Sequence, residues 1–504
     1  MQRESASTLA KNSIANVARG SAIALTAIVL PPFLTRMMAP SAYGAWLLVI
    51  QLSAVVGYLD FGIQTAIGRF VAHAAERRDA AHRDRILSTS LAALTGAGLI
   101  GIMCTAGLAA VLPYAFHQVP PALASQIRLA LVLVGSSLAM GLPCSVFNGI
   151  FIGLQRYEIP AGIIAGTRIV SAVALVLVVR AGGSLQAMGL STALINLASY
   201  AMQYIAYLHF APRAQFSIAL ISRATGRELF SYCFSLSVWS FAMLLVSGLD
   251  VSLVGYFEFR KVAYYAVAST LITFLAGLQN AIFHVMIPAT AVLQARAEFG
   301  QLGTRMISAT RYGMFILLLT GLPLIFAARG ILYIWVGPGY AAEGARILQI
   351  LTVANMIRLS ALPYAVTLIG TGQQRLVILT PLLEGISNLL ASVIAGYFLG
   401  AIGVAIGTVV GGTVGLLGNF LHNMPRTREV EFRLADYLRD GLLRPGVCAL
   451  PLIVALWPWR SSFDSRNYIL LAIAAAITAF LLWNWGLIRS ERERVRLWRC
   501  SLPL

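Results

Sequence analysis

Apolar residues along this chain fall into long unbroken blocks rather than alternating with polar ones. About fourteen blocks lie near the roughly 20 residues that a bilayer-spanning helix needs, and short polar connections separate them. The first six lie at about 13–35, 43–68, 86–112, 125–153, 160–180 and 185–208. The next six lie at about 229–256, 262–290, 311–334, 345–371, 376–398 and 402–424, and two more at about 445–460 and 467–488. The pattern predicts an all-α polytopic membrane protein of about 14 transmembrane helices. Residues 1–210 and 211–424 would each form a six-helix bundle, and 425–504 would add two helices and a basic tail.

Composition agrees. With 59% hydrophobic and 11% charged residues over 504 positions, a soluble fold could not cover its own apolar surface. The first apolar block, from Ile14 to Leu34, is longer than a signal-peptide core and runs into PPFLTRMMAP, so it is expected to stay as helix 1. The net charge of +18 would suit nucleic acid only if it formed a soluble basic patch. Its distribution reads instead as topology: with the N-terminus in the cytoplasm, roughly 25 of the 37 Lys and Arg fall on that side. Both termini are therefore expected to be cytoplasmic. Only Lys11 and Lys261 are lysines, a bias extending through loops and tail and more in keeping with genome composition than with selection for phosphate.

Nothing points to covalent chemistry. The five cysteines show no CxxC spacing and the six histidines are scattered. No HExxH, GxSxG or P-loop pattern occurs, and no connection leaves room for a catalytic domain outside the membrane. No catalytic residue, metal site or cofactor is expected.

A weak repeat divides the chain. IFIGLQRY at 150–157 ends helix 4 and TLIGTGQQR at 367–375 ends helix 10, an offset of about 217 residues that also lays helix 1 over helix 7. Six spans separate the copies, so the halves run in the same direction, an arrangement that transporters use to frame a central site.

Polar side chains at membrane depth are costly, and they mark either a pathway or a hydrogen-bonded seam between helices. Helix 1 carries Asn12, Asn16, Arg19 and Thr26 on one face, helix 2 Ser53, Asp60 and Gln64, helix 7 Ser240, Ser247 and Asp250, and helix 8 Thr273, Asn280 and His284. Helices 10 and 11 add Thr352, Asn355, Arg358, Glu384 and Asn388. The lumen candidates are Asn16, Arg19, Asp60, Gln64, Asp250, Asn280, Arg358 and Glu384. An ion pair between Arg358 and Glu384, snorkelling of Arg19 and plain packing of His284 are the structural alternatives.

LTRMMAPSAYGAW at 34–46 and YLDFGIQTAIGRFVA at 58–72 resemble the first two helices of the Wzx-type polysaccharide-transport flippases. DVSLVGYFEFRKVAYYAVA at 250–268, ILYIWVGPGYA at 331–341 and LGAIGVAIGT at 399–408 are similar to later parts of that family in the same order. The resemblance implies membership of the superfamily that also holds multidrug and toxin extrusion transporters and lipid II flippases, with two six-helix bundles around a cavity lined by helices 1, 2, 7 and 8. It implies translocation of undecaprenyl-pyrophosphate-linked oligosaccharide repeat units across the bacterial inner membrane by alternating access, for lipopolysaccharide O-antigen or exopolysaccharide biosynthesis. Arg19 and Arg358 would meet the pyrophosphate, while Asp60, Asp250 and Glu384 could couple the cycle to protons or sodium. Expected partners are the lipid-linked oligosaccharide, membrane lipids, and polymerase and chain-length proteins of the same pathway, with no nucleic acid. The alternatives are a multidrug exporter of the same superfamily and a membrane polysaccharide polymerase.

Overall fold

The computed structural model describes residues 2–211, 214–373, 378–427, 429–457, 466–487 and 492, with side chains from Arg19 onward except those of 235, 236, 239 and 466–469. Among the described residues every regular element is helical. In the first part of the chain these are α1 (Gln2–Met37), α2 (Pro40–Ala54), α3 (Ile63–Arg77), α4 (Ala80–Ala115), α5 (Pro121–Gly153), α6 (Glu158–Arg180) and α7 (Leu185–Phe210). There follow α8 (Arg223–Met243), α9 (Asp250–Phe257), α10 (Val262–Phe283), α11 (Met286–Ala295), α12 (Phe299–Phe326), α13 (Ala328–Val336), α14 (Pro338–Leu359), α15 (Leu362–Gly370) and α16 (Leu379–Gly418). Prolines at the first positions of α2, α5 and α14 sit where a helix has no use for the missing N–H. Side-chain caps start others: Asp79 accepts from the His82 N–H at 2.9 Å before α4, and Ser184 from Ala187 at 3.4 Å before α7.

Ten helices among the described residues are long and apolar enough to cross a membrane. The last, running to Arg426, holds two expected spans, because Gly400 at φ 58 turns the chain inside α16. Helix α7 is long enough but more polar, and a shorter apolar stretch covers Leu470–Gly486. The fourteen-helix reading is compatible with this inventory. One boundary moves far: the helix expected to begin at 311 starts at Phe299, because Leu302, Met306 and Ala309 bury one face of what reads as a polar connection.

The repeat is visible in the backbone. Helices ending in a left-handed residue recur at nearly constant spacing: Arg78 (φ 54) with Ala297 (φ 55), Gln155 (φ 57) with Gly372 (φ 70), and Gly182 (φ 75) with Gly400 (φ 58), at offsets of 219, 217 and 218. The hydrogen bonds repeat too. Gln155 and Arg156 donate to the carbonyls of Ile152 and Phe151, and 217 residues later Gly372 and Gln373 donate to those of Ile369 and Leu368. The two sequence fragments of the repeat are therefore one helix stop used twice.

Compactness divides the chain differently from the repeat. One unit comprises Met1–Thr270 with Gly396–Ala401, the other Leu271–Ala395 with Ile402–Leu504. Residues 223–270 join the first unit because α8 packs on α3 and α4, and α9 on α2. In that unit α5 is central, touching α2, α3, α4 and α7, while α1 packs on α6. Its core includes Ile67, Leu87, Val146, Phe147, Phe151 and Tyr207. Three connections are tied together there: the Gln118 carboxamide donates to the Phe257 carbonyl at 2.8 Å and accepts from the Phe259 N–H at 3.1 Å, and the Glu258 carboxylate accepts from the Ala401 N–H at 3.0 Å. In the second unit α12 packs on α14, α15 and the π-helical turn Tyr437–Leu443, around Met306, Tyr364, Leu368 and Tyr437.

Candidate functional site

The second expected span is not one helix. After α2 the chain tightens into a 3-10 turn, Val55–Asp60, then passes through two consecutive left-handed residues, Phe61 (φ 50) and Gly62 (φ 76), before α3 begins. Gly62 takes this conformation freely, whereas a side chain at Phe61 is disfavoured there. The seventh span is also interrupted. Between α8 and α9 the chain widens into a π-turn, Leu244–Gly248, and α9 starts at Asp250. Irregular backbone at membrane depth survives only where protein or a water-lined cavity surrounds it, and freed carbonyls must find new donors. Here they do. Gln51 donates its amide to the Gly248 carbonyl, and the Ser237 hydroxyl donates to that of Phe61 at 3.2 Å.

These breaks carry two of the acidic candidates. Asp60 closes the first, beside Ser145 and the N–H groups of Gly62 and Gln64; its Oδ1 has no hydrogen-bond partner among the described residues. Gln64 is half-buried in the first turn of α3. Asp250 is buried and accepts from the Tyr265 hydroxyl at 3.3 Å. Arg19 is half-buried on α1, and the Asn16 side chain lies outside the described residues. Thr26 lines an apolar crevice and donates to its own helix at Ala22, 2.7 Å away, so the stripe read on helix 1 is not polar along its length.

The remaining candidates belong to the second unit. Arg358 and Glu384 form an ion pair at 3.3 Å. Helix α14 ends just after Arg358, and the next helical segment, α15, begins at Leu362. The amide of Asn280 turns back to the Ala276 carbonyl at 2.8 Å. Beside Glu384, glycines of the returning arm of α16 face the first arm: a Cβ at Gly411 would lie 2.6 Å from that of Asn388, and one at Gly415 2.6 Å from Glu384 Oε2. The Gly-rich segment thus brings two helix backbones close, as small residues do in membranes.

Two polar residues escaped the sequence reading. Gln279, next to Asn280, is buried and donates to the Gly313 carbonyl at 3.3 Å. Arg311 is wholly buried and donates from Nε to the Asp440 carbonyl at 3.0 Å, within the π-turn that precedes the Asp440–Arg444 ion pair at 3.0 Å. The early start of α12 hid it; a helical reading of FGQLGTRMISAT would have placed Arg311 inside the span. Among the described residues no group of His, Cys, Asp or Glu could hold a metal ion.

The described residues thus form an all-helical polytopic chain in which two spans are interrupted and carry acidic residues at their breaks. The solved structures agree at the level of fold. The lipid II flippase MurJ in an inward closed conformation superposes with a TM-score of 0.71 at 11% identity, covering 93% of this chain and 97% of that one. An inward-facing multidrug resistance MATE transporter gives 0.60 at 16% identity, covering 82% and 94%. A superfamily transporter from Pyrococcus furiosus, described as having a binding pocket of reversed polarity, gives 0.54 at 15%, covering 83% and 95%. Residues 9–294 match the model of the polysaccharide biosynthesis protein family, more than half of the chain, and the chain belongs to that family. No curated protein matches it significantly in sequence.

Proposed function

We propose that this protein is a flippase moving undecaprenyl-pyrophosphate-linked oligosaccharide units from the cytoplasmic to the periplasmic leaflet of a bacterial inner membrane, in the service of surface or exopolysaccharide synthesis. The observation that carries the reading is the pair of interrupted spans with Asp60 and Asp250 at their breaks, in a chain of the polysaccharide biosynthesis family. Discontinuous helices are where transporters place polar groups that meet cargo and coupling ions. Distributed, weak contacts suit a carrier that must release its load. In this reading both carboxylates take up and release a proton or sodium ion, and polymerase and chain-length proteins receive the product.

Reconstitution tests the reading. Purified protein in liposomes, supplied with a lipid-linked oligosaccharide in one leaflet, is expected to carry it unchanged to the other, with an imposed proton or sodium gradient setting the direction. Extrusion of amphipathic cations without movement of the glycolipid would make it a drug exporter. Formation of a longer glycan without leaflet exchange would make it a polymerase.

A further inference from the structure

Arg168 lies near the middle of α6, about 15 Å from its start and about 18 Å from its end at the helical rise. It is exposed, and no acidic side chain pairs with it among the described residues. Its charge reaches Tyr200 on α7, which carries no acid. A lone guanidinium at this depth is among the most expensive side chains a membrane helix can hold, and such residues mark the passage of a ligand or ion.

Beside it lies a crevice between α1 and α6 of about 400 Å³. Leu25, Val29 and Phe33 form one wall and Ile169, Val173 and Leu177 the other. Its lining is apolar throughout, since the Thr26 hydroxyl is spent on the Ala22 carbonyl. Arg168 stands one turn before Ala172, another lining residue, on the same stripe. Arg19 stands two turns before Thr26 on the same face of α1, about 10 Å along the axis. Three spans, those of α2–α3, α4 and α5, lie between α1 and α6, so the two helices run in the same direction and both cations stand toward one end of the crevice.

We propose that this crevice is the seat of the substrate's prenyl chain, with the pyrophosphate held against Arg168 and, further along, Arg19. An apolar trough about 12 Å long with cations only at one end complements an anionic diphosphate on the first isoprene units of a methyl-branched polyprenyl tail, and the guanidinium fork fits paired phosphate oxygens. The proposal rests on the flippase reading and adds where the lipid part binds; Arg168 is then a substrate-binding residue rather than a structural one.

The test is photolabelling of the full-length protein in nanodiscs with a diazirine-tagged undecaprenyl pyrophosphate, mapped by mass spectrometry. Labels are expected within 25–33 and 169–177, and unlabelled undecaprenyl pyrophosphate should compete for them while phosphatidylglycerol should not. Arg168→Ala should lower labelling about tenfold, the factor for loss of one charge-assisted contact, and Arg168→Lys should restore part of it. Val173→Trp, which fills the trough without touching a charge, should abolish labelling at 169–177 with an unchanged unfolding midpoint. Equal competition by phosphatidylglycerol, or undiminished labelling of Arg168→Ala and Val173→Trp, would reduce the crevice to ordinary lipid-facing surface. Transport of the glycolipid without crevice labelling overturns this proposal alone, whereas labelling without transport leaves the crevice and removes the flippase function.

Discussion

The Arg358 guanidinium and the Glu384 carboxylate, 3.3 Å apart, neutralise each other, with 27% and 12% of the two side chains exposed. Removing one partner strands the other in a poorly solvated place, whereas removing both does not. Glu384→Gln is therefore expected to destabilise the protein by about 2 kcal/mol, less than a fully buried pair because Arg358 keeps some exposure. The double variant Arg358→Gln/Glu384→Gln should recover at least half of that loss, read as unfolding in mixed micelles; additive losses would show that the pair contributes no coupling. This partnership was legible in the sequence as one of two readings, since an acid and a base on consecutive spans can meet. Arg168 stands in the sequence only as a basic residue inside the apolar block 160–180. Its exposure and lack of an acidic neighbour are properties of packing, which hydropathy does not encode. Arg311 was legible only as the first residue of an expected span, because the amphipathic turns before it have the composition of a loop.

At the scale of elements, hydropathy averaged over twenty residues finds a span and misses its interruption. Nothing in YLDFGIQ sets it apart from a continuous helix except Gly62, and a single glycine is common in membrane helices. The break follows from two left-handed residues in a row, and Gly62 at φ 76 is the one that cannot carry a side chain cheaply. Gly62→Val is expected to cost about 2 kcal/mol or to straighten the segment, since a β-branched residue is least tolerated at positive φ. Gly62→Asn, which accepts that conformation, should retain most of the stability and transport. A Gly62→Val protein with wild-type unfolding and wild-type transport would mean that the break is not needed. The repeat, by contrast, was partly legible: the two fragments at 150–157 and 367–375 share letters because they share a helix stop, while around the Arg78/Ala297 stop little beyond Arg77 and Arg296 coincides and the likeness is plain only in the backbone.

For the whole molecule, class and approximate span number were legible from composition and block length, because the bilayer imposes both. Compact grouping was not, since it depends on which helices touch and not on where the repeat begins. Topology remains a matter of charge, and the same Arg-rich connections predict cytoplasmic signals from reporter fusions after Leu504 and within 425–444; a periplasmic signal at either site would contradict both termini lying inside. The tie among Gln118, Phe257, Phe259, Glu258 and Ala401 fastens three connections far apart in sequence. Two neutral hydrogen bonds and one to a carboxylate are worth roughly 4 kcal/mol in total. That corresponds to about one molecule in a thousand with the tie undone at any moment. The tie is thus tight enough to hold these three connections together, yet ambient thermal motion suffices to undo it.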